Sequence, residues 1–165
     1  KKFNFIKKNS NLLDIGSTPG GWSQVASKII TNGKILAVDI TPMEKLDKVI
    51  FLNDDFSNEI TQNKILKTFK DKIDVIISDM AENTTGNKTV DSIRTNSLCA
   101  DVINFSVKTL AANGCLVCKL FMGDDFLEVK GLAKQNFKNV DFFKPESSRS
   151  ESKETYIFCS LLKAL

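Results

Sequence analysis

The chain has 165 residues, 42% hydrophobic and 26% charged, with a net charge of +3. That is enough chain for one domain with a substantial core, and no apolar run approaches the roughly 18 residues of a membrane span. There is no histidine, which excludes Ser–His and Cys–His nucleophile machinery and the commonest metal ligand.

The first predicted element is a strand over 11–15. It runs into Gly16-Ser17-Thr18-Pro19-Gly20-Gly21, and a helical pattern follows over 21–31. A glycine turn between strand and helix presents bare backbone N–H groups to a ligand. The order Asp14-x-Gly16-x-x-x-Gly20-Gly21, stiffened by Pro19, differs from the G-x-G-x-x-G that cradles a pyrophosphate. It suits a cofactor without phosphate lying across the turn, and S-adenosylmethionine (SAM) is the candidate. The alternative is a tight connection with no ligand. A nicotinamide dehydrogenase is disfavoured by the same spacing.

Beyond Gly33, residues 34–39 read as a second strand, 48–52 as a short third and 57–69 as a helix. Residues 73–78 form the fourth strand and 81–90 a polar loop. A long helix follows over 90–111. Gly114 precedes a fifth strand from Cys115 to Phe121, and 124–136 reads as a helix. Two last strands, 138–143 and 154–162, flank a charged loop over 144–153. Alternating strands and helices predict an α/β fold with an open, mostly parallel sheet and helices on both faces. With no helix between them, the last two strands are expected to pair as an antiparallel hairpin at one edge.

Cys115-x-x-Cys118 resembles half a zinc site, but residues three apart on a strand point to opposite faces and no second pair exists. Cys99, Cys115, Cys118 and Cys159 are therefore expected to be buried free thiols, and no metal is expected.

In open α/β sheets ligands bind at the carboxyl ends of the strands. Asp14, Asp39, Asp55, Asp79 and Lys119 fall at such ends. Glu154 joins them if the last strand is antiparallel. Any solvated rim is polar, so each alone is weak, except Lys119. It lies within Leu116-Val117-Cys118-Lys119-Leu120-Phe121, where a lone ammonium would be costly to bury; snorkelling from the strand end is the alternative. Asp39 is placed to accept hydrogen bonds from ribose hydroxyls of an adenosine cofactor. Asp55 could reach the adenine amine, or could serve as a helix cap.

Five ordered motifs carry a resemblance over essentially the whole chain. They are Asp14 to Gln24, Ala37 to Met43, Ser78-Asp79-Met80-Ala81, Val117 to Phe121 and Lys144 to Tyr156. Together they resemble the FtsJ (RrmJ) family of RNA ribose 2′-O-methyltransferases. The resemblance implies a Rossmann-like SAM-dependent methyltransferase fold and a Lys–Asp–Lys–Glu active site. Asp79, Lys119 and Glu154 match its last three members. The first lysine falls upstream of Lys1, so a single, N-terminally truncated domain over 1–165 is expected. Glu82 stands where the family usually has proline, and Ser17-Thr18 where it often has two alanines.

The cofactor set expected on this resemblance is Asp14, Gly16, Pro19, Gly20, Gly21, Trp22, Asp39, Ile40, Asp55, Phe56 and Asp79. The implied target is a uridine of 23S rRNA in the large ribosomal subunit. Another RNA such as tRNA, or a non-catalytic RNA-binding module, is the alternative. Lys1, Lys2, Lys7, Lys8, Lys144, Arg149 and Lys153 are available for phosphate contacts. A cytoplasmic monomer without a membrane partner is expected.

Overall fold

The computed structural model describes residues 4–70, 72–81, 85–123, 125–146 and 152–163. Lys1, Lys2, Glu82 and Arg149 lie outside the described residues.

Eleven elements follow one another. They are β1 (Leu12–Ile15), α1 (Gly21–Ile29), β2 (Ile35–Asp39), β3 (Val49–Asn53), α2 (Glu59–Thr68), β4 (Ile73–Ser78), α3 (Lys88–Thr109), β5 (Leu110–Phe121), α4 (Phe126–Asn136), β6 (Phe137–Phe143) and β7 (Glu154–Leu162). The seven strands form one sheet in the order β3-β2-β1-β4-β5-β7-β6. The first five are parallel to their neighbours, and β7 runs antiparallel between β5 and β6. The chain reverses direction across β1 and β4, where open sheets leave a crevice. The expected antiparallel ending is present, and it puts Glu154 opposite Phe121 at the carboxyl edge.

Strand side chains alternate between two cores. Leu13, Ile15, Leu36, Val38, Ile76, Leu116 and Cys118 pack with residues of α2, α3 and α4. On the other face, Leu12, Ile35, Val75, Ile77 and Cys115 pack with Ala26 and Ile30, joined by Phe5, Ile6 and Trp22. Cys115 and Cys118 thus belong to opposite faces, and all four cysteines are free and buried. Burial pushes the Cys115 thiol up to about 12 and that of Cys159 higher still, so neither supplies a thiolate near neutral pH.

Several boundaries shift from the sequence reading by one or two residues, and two differences have a physical reason. β5 starts at Leu110, directly out of α3, rather than at Cys115. Leu110 pairs with Ile73 and Cys115 with Val75, so residues 111–114 form an irregularity inside the strand and Gly114 does not precede it. α2 begins at Glu59 because the segment before it is a turn, with the Ser57 N–H donating to Asp55 Oδ1 at 2.8 Å.

Lysines from segments outside the helices meet the ends of three of them. Lys34 Nζ donates to the Thr68 carbonyl of α2, Lys72 to the Lys108 carbonyl of α3 and Lys163 to the Lys134 carbonyl of α4. Each offsets the negative end of a helix dipole and satisfies a carbonyl that the helix leaves unpaired.

Asp14 anchors α1 to β1. It is fully buried, and its Oδ2 accepts from Ser23 Oγ at 2.6 Å. Burial pushes its carboxyl up to about 6, and the Ser23 hydrogen bond only partly offsets this. The folded chain therefore keeps a proton that the unfolded chain releases near pH 4. Stability falls as pH rises between about 4 and 6, by on the order of 3 kcal/mol, and stays lower above that. Asp14→Asn cannot ionise, so its unfolding temperature relative to wild type should rise from pH 5 to pH 8. A constant offset across that range would contradict the assignment.

Candidate active site

The turn after β1 is built for close approach. Gly16 has φ 71° and Gly20 φ 109°, a region that L side chains avoid. A Cβ on Gly16 would stand 2.9 Å from the Met80 backbone nitrogen, so only glycine lets this turn lie against the exit of β4. The Thr18–Pro19 peptide is cis. Asp39, at the end of β2, ties the turn down. Its Oδ2 accepts from the Thr18 N–H at 2.9 Å and its Oδ1 from the Thr41 N–H at 2.7 Å.

A cavity of about 400 Å³ opens beside this turn. Gly16, Asp39, Ile40, Asp55, Phe56 and Asp79 line it, together with Met80 and Leu98. These are six of the expected cofactor residues. Asp14 does not reach the cavity but lies beneath the turn, fully buried. Pro19, Gly20, Gly21 and Trp22 shape the turn and the start of α1 without lining the cavity. Gly20 packs instead against Met43 and Leu46.

The residues fit SAM. Carboxylates and backbone groups flank an apolar slot formed by Ile40, Phe56 and Leu98, which suits a planar base and a ribose. Beneath the turn, Asp14 Oδ1 and Ser17 Oγ are buried with no hydrogen-bond partner among the described residues. Such atoms are costly to leave unpaired, and neither residue lines the cavity. Asp54, also on the rim, is engaged by Lys64 at 2.7 Å, and that hydrogen bond holds its carboxyl below the ordinary range.

Next to the cavity, Asp79 turns toward β5. Its N–H donates to the Ile15 carbonyl at 3.1 Å, fixing it against β1. Its Oδ1 lies 3.0 Å from Lys119 Nζ, and Glu154 Oε1 lies 3.8 Å from the same nitrogen. The Lys119 side chain is only 12% exposed, so its ammonium is compensated by two carboxylates rather than by water. The three residues singled out in the sequence as Lys119, Asp79 and Glu154 therefore meet.

Tyr156 was not singled out. It pairs with Lys119 across the β5–β7 ladder, and its hydroxyl donates to Asp79 Oδ1 at 2.7 Å. Burial, then the Asp79 carboxylate, pushes its phenol far above the ordinary value, so it remains a neutral donor. Its ring lies between Trp22 and Phe143, at 6.3 and 5.6 Å. The signal was the alternation of β7, which puts Glu154 and Tyr156 on one face.

The expected RNA-binding cations divide. Lys144 and Lys153 flank the start of β7 beside Glu154, whereas Lys7 and Lys8 precede β1 at the opposite edge of the sheet. Among the described residues no cluster of metal-ligating side chains is present, and no helix is long and apolar enough to cross a membrane.

Comparison with known proteins agrees with this fold. The chain is 42% identical over 163 residues to the Ribosomal RNA large subunit methyltransferase E of Pelagibacter ubique, covering 99% of this chain and 80% of the relative. It is also 42% identical to the protein of that name from Rickettsia akari, covering 95% and 72%. The crystal structure of a ribosomal RNA methyltransferase from Plasmodium falciparum superposes with a TM-score of 0.86 at 28% identity, over 98% of this chain and 91% of that one. Human Methyltransferase-like protein 13 in complex with SAH shares the fold, with a TM-score of 0.70 at 17% identity over 93% and 72% of the two chains. The family described as FtsJ-like methyltransferase matches residues 1–161. The chain belongs to that family of methyltransferases.

Proposed function

We propose that the chain methylates a ribose 2′-hydroxyl of RNA, at a uridine of the large-subunit ribosomal RNA. The observation that carries the reading is the Lys119 ammonium held between Asp79 and Glu154, with Asp79 alone of the three lining the cavity. The names of the Pelagibacter and Rickettsia relatives support ribosomal RNA as the substrate class. The resemblance to ribose 2′-O-methyltransferases supports the hydroxyl acceptor.

Bound SAM supplies an electrophilic methyl on a sulfonium sulfur. A ribose hydroxyl is a weak nucleophile, so the protein must align it and manage its proton. In the transfer an O–C bond forms, a C–S bond breaks and the hydroxyl proton leaves. Lys119 Nζ, entering as the neutral amine, takes that proton and becomes the ammonium that Asp79 and Glu154 compensate. Asp79 orients Lys119 and is itself held by the Tyr156 hydroxyl. Glu154 closes the other side of the ammonium and faces the ribose. Lys144 and Lys153 are placed to meet phosphates at this edge. On the cofactor side, Asp39 would accept from ribose hydroxyls, Asp55 and Phe56 would flank the base, and Gly16 would present its backbone. Asp14 and Trp22 support the turn from below and from α1.

Labelled SAM offered with unmodified large ribosomal subunits, free 23S RNA and tRNA tests the reading, with the product digested to nucleosides. The expected product is 2′-O-methyluridine from the subunit or its RNA. Label confined to tRNA, or carried on a base, would refute it. Lys119→Ala should lower the rate roughly 100-fold or more and leave SAM affinity within about twofold; a rate within a few-fold of wild type would remove Lys119 from the chemistry. Asp39→Ala should weaken SAM binding roughly 10-fold or more, the loss of charged hydrogen bonds. Equal affinity by calorimetry would make Asp39 a turn residue only.

A further inference from the structure

β4 stops at Ser78, paired with Cys118, while β5 continues to Phe121. The last residues of β5 thus have β7 on one side and no strand on the other. Successive N–H groups along a strand point to opposite sides. The Met122 N–H donates to the Lys153 carbonyl on the β7 side, so the N–H and C=O of Phe121 point to the side that β4 has left. Buried backbone groups need partners. Asn96 of α3, 1% exposed, supplies both. Its Nδ2 donates to the Phe121 carbonyl at 3.0 Å, and its Oδ1 accepts from the Phe121 N–H at 2.8 Å. The remaining Nδ2 proton goes to Asp125 Oδ1 at 2.8 Å, at the residue before α4.

Both donors of this amide and its oxygen are in use, and two of the three bonds end on Phe121, the last residue of β5. Phe121 is directly opposite Glu154 and two residues beyond Lys119. We infer that Asn96 is a positioning residue for methyl transfer. Its side chain continues the sheet where β4 ends, and by fixing the last residues of β5 it holds Glu154 at its distance from Lys119. The inference rests on the proposed roles of Lys119 and Glu154. Asn96 touches neither side chain and acts through the backbone of Phe121.

Asn96→Leu keeps the volume and removes the three hydrogen bonds. Val102→Ala, a core truncation on the same helix, serves as a stability control. The chain and both variants are compared by single-turnover transfer to RNA, SAM affinity, thermal unfolding and residue-resolved amide exchange. For Asn96→Leu the transfer rate should fall at least roughly 10-fold while SAM affinity stays within about twofold. Exchange of the Phe121 N–H should rise roughly 100-fold with Val117 unchanged. Val102→Ala should lose unfolding temperature yet keep the rate within about twofold. A rate loss in Asn96→Leu no larger than in Val102→Ala overturns the inference, as does unaltered protection of Phe121. Should the unmodified chain methylate none of the RNAs offered, the functional reading fails instead, and the exchange at Phe121 still decides whether Asn96 holds the end of β5.

Discussion

The active edge depends on unequal strand lengths. β1 and β4 end at Ile15 and Ser78, and β5 runs past them to Phe121. The shorter pair leaves room for a glycine turn and for the exit of β4, and so for the cofactor cavity. The longer strand carries Lys119 beyond the last β4 partner, where its ammonium can meet the Asp79 carboxylate on the departing chain. Equal strands would have left Asp79 paired in the ladder and unable to turn. Its backbone N–H stays bonded to Ile15, so the carboxylate is aimed from a fixed point.

Asp79 is the common wall of two compartments. One side faces the cavity of Gly16, Asp39 and Phe56. The other receives Lys119 and the Tyr156 hydroxyl on the same oxygen. Because Lys119 and Tyr156 are opposite one another on neighbouring strands, they share a face, and it is the face that α1 covers through Trp22. A buried charge pair of this kind adds little net stability, since desolvation offsets most of the attraction. Its value is geometric, because breaking either partner strands the other.

Most of the architecture was legible because burial imposes periodicity. Short runs at 12–15, 35–38 and 73–77, apolar but for Asp14 and Asp74, read as strands covered on both faces, and the acids at their ends then marked the crevice. The beginning of β5 was not legible. Asn113-Gly114 has the composition of a turn, but pairing with β4 resumes across it, and only tertiary contact distinguishes a bulge from a break. Lys119, Asp79 and Glu154 could be read because each occupies a strand end. Asn96 could not. An asparagine within a helix is ordinarily a solvent-facing residue, and the unpaired backbone that recruits it belongs to a strand 25 residues away. The division of the lysines was equally hidden, since nothing in local sequence tells a helix-capping ammonium from a free one.

That division bears on how the chain would grip a polyanion. All but two of its 23 basic residues are lysine, and a count alone suggests a broad electrostatic binder. Lys34, Lys72 and Lys163 hold helix carbonyls at the edge of the sheet where the parallel strands begin, turned away from Lys119. Counterion release follows only the phosphates that are actually neutralised. An RNA seated at the opposite edge would therefore show a shallow dependence of affinity on salt, set by the few cations at that edge, Lys153 among them, rather than by the composition. Recognition would then lean on the fit of a presented ribose to a fixed crevice more than on charge.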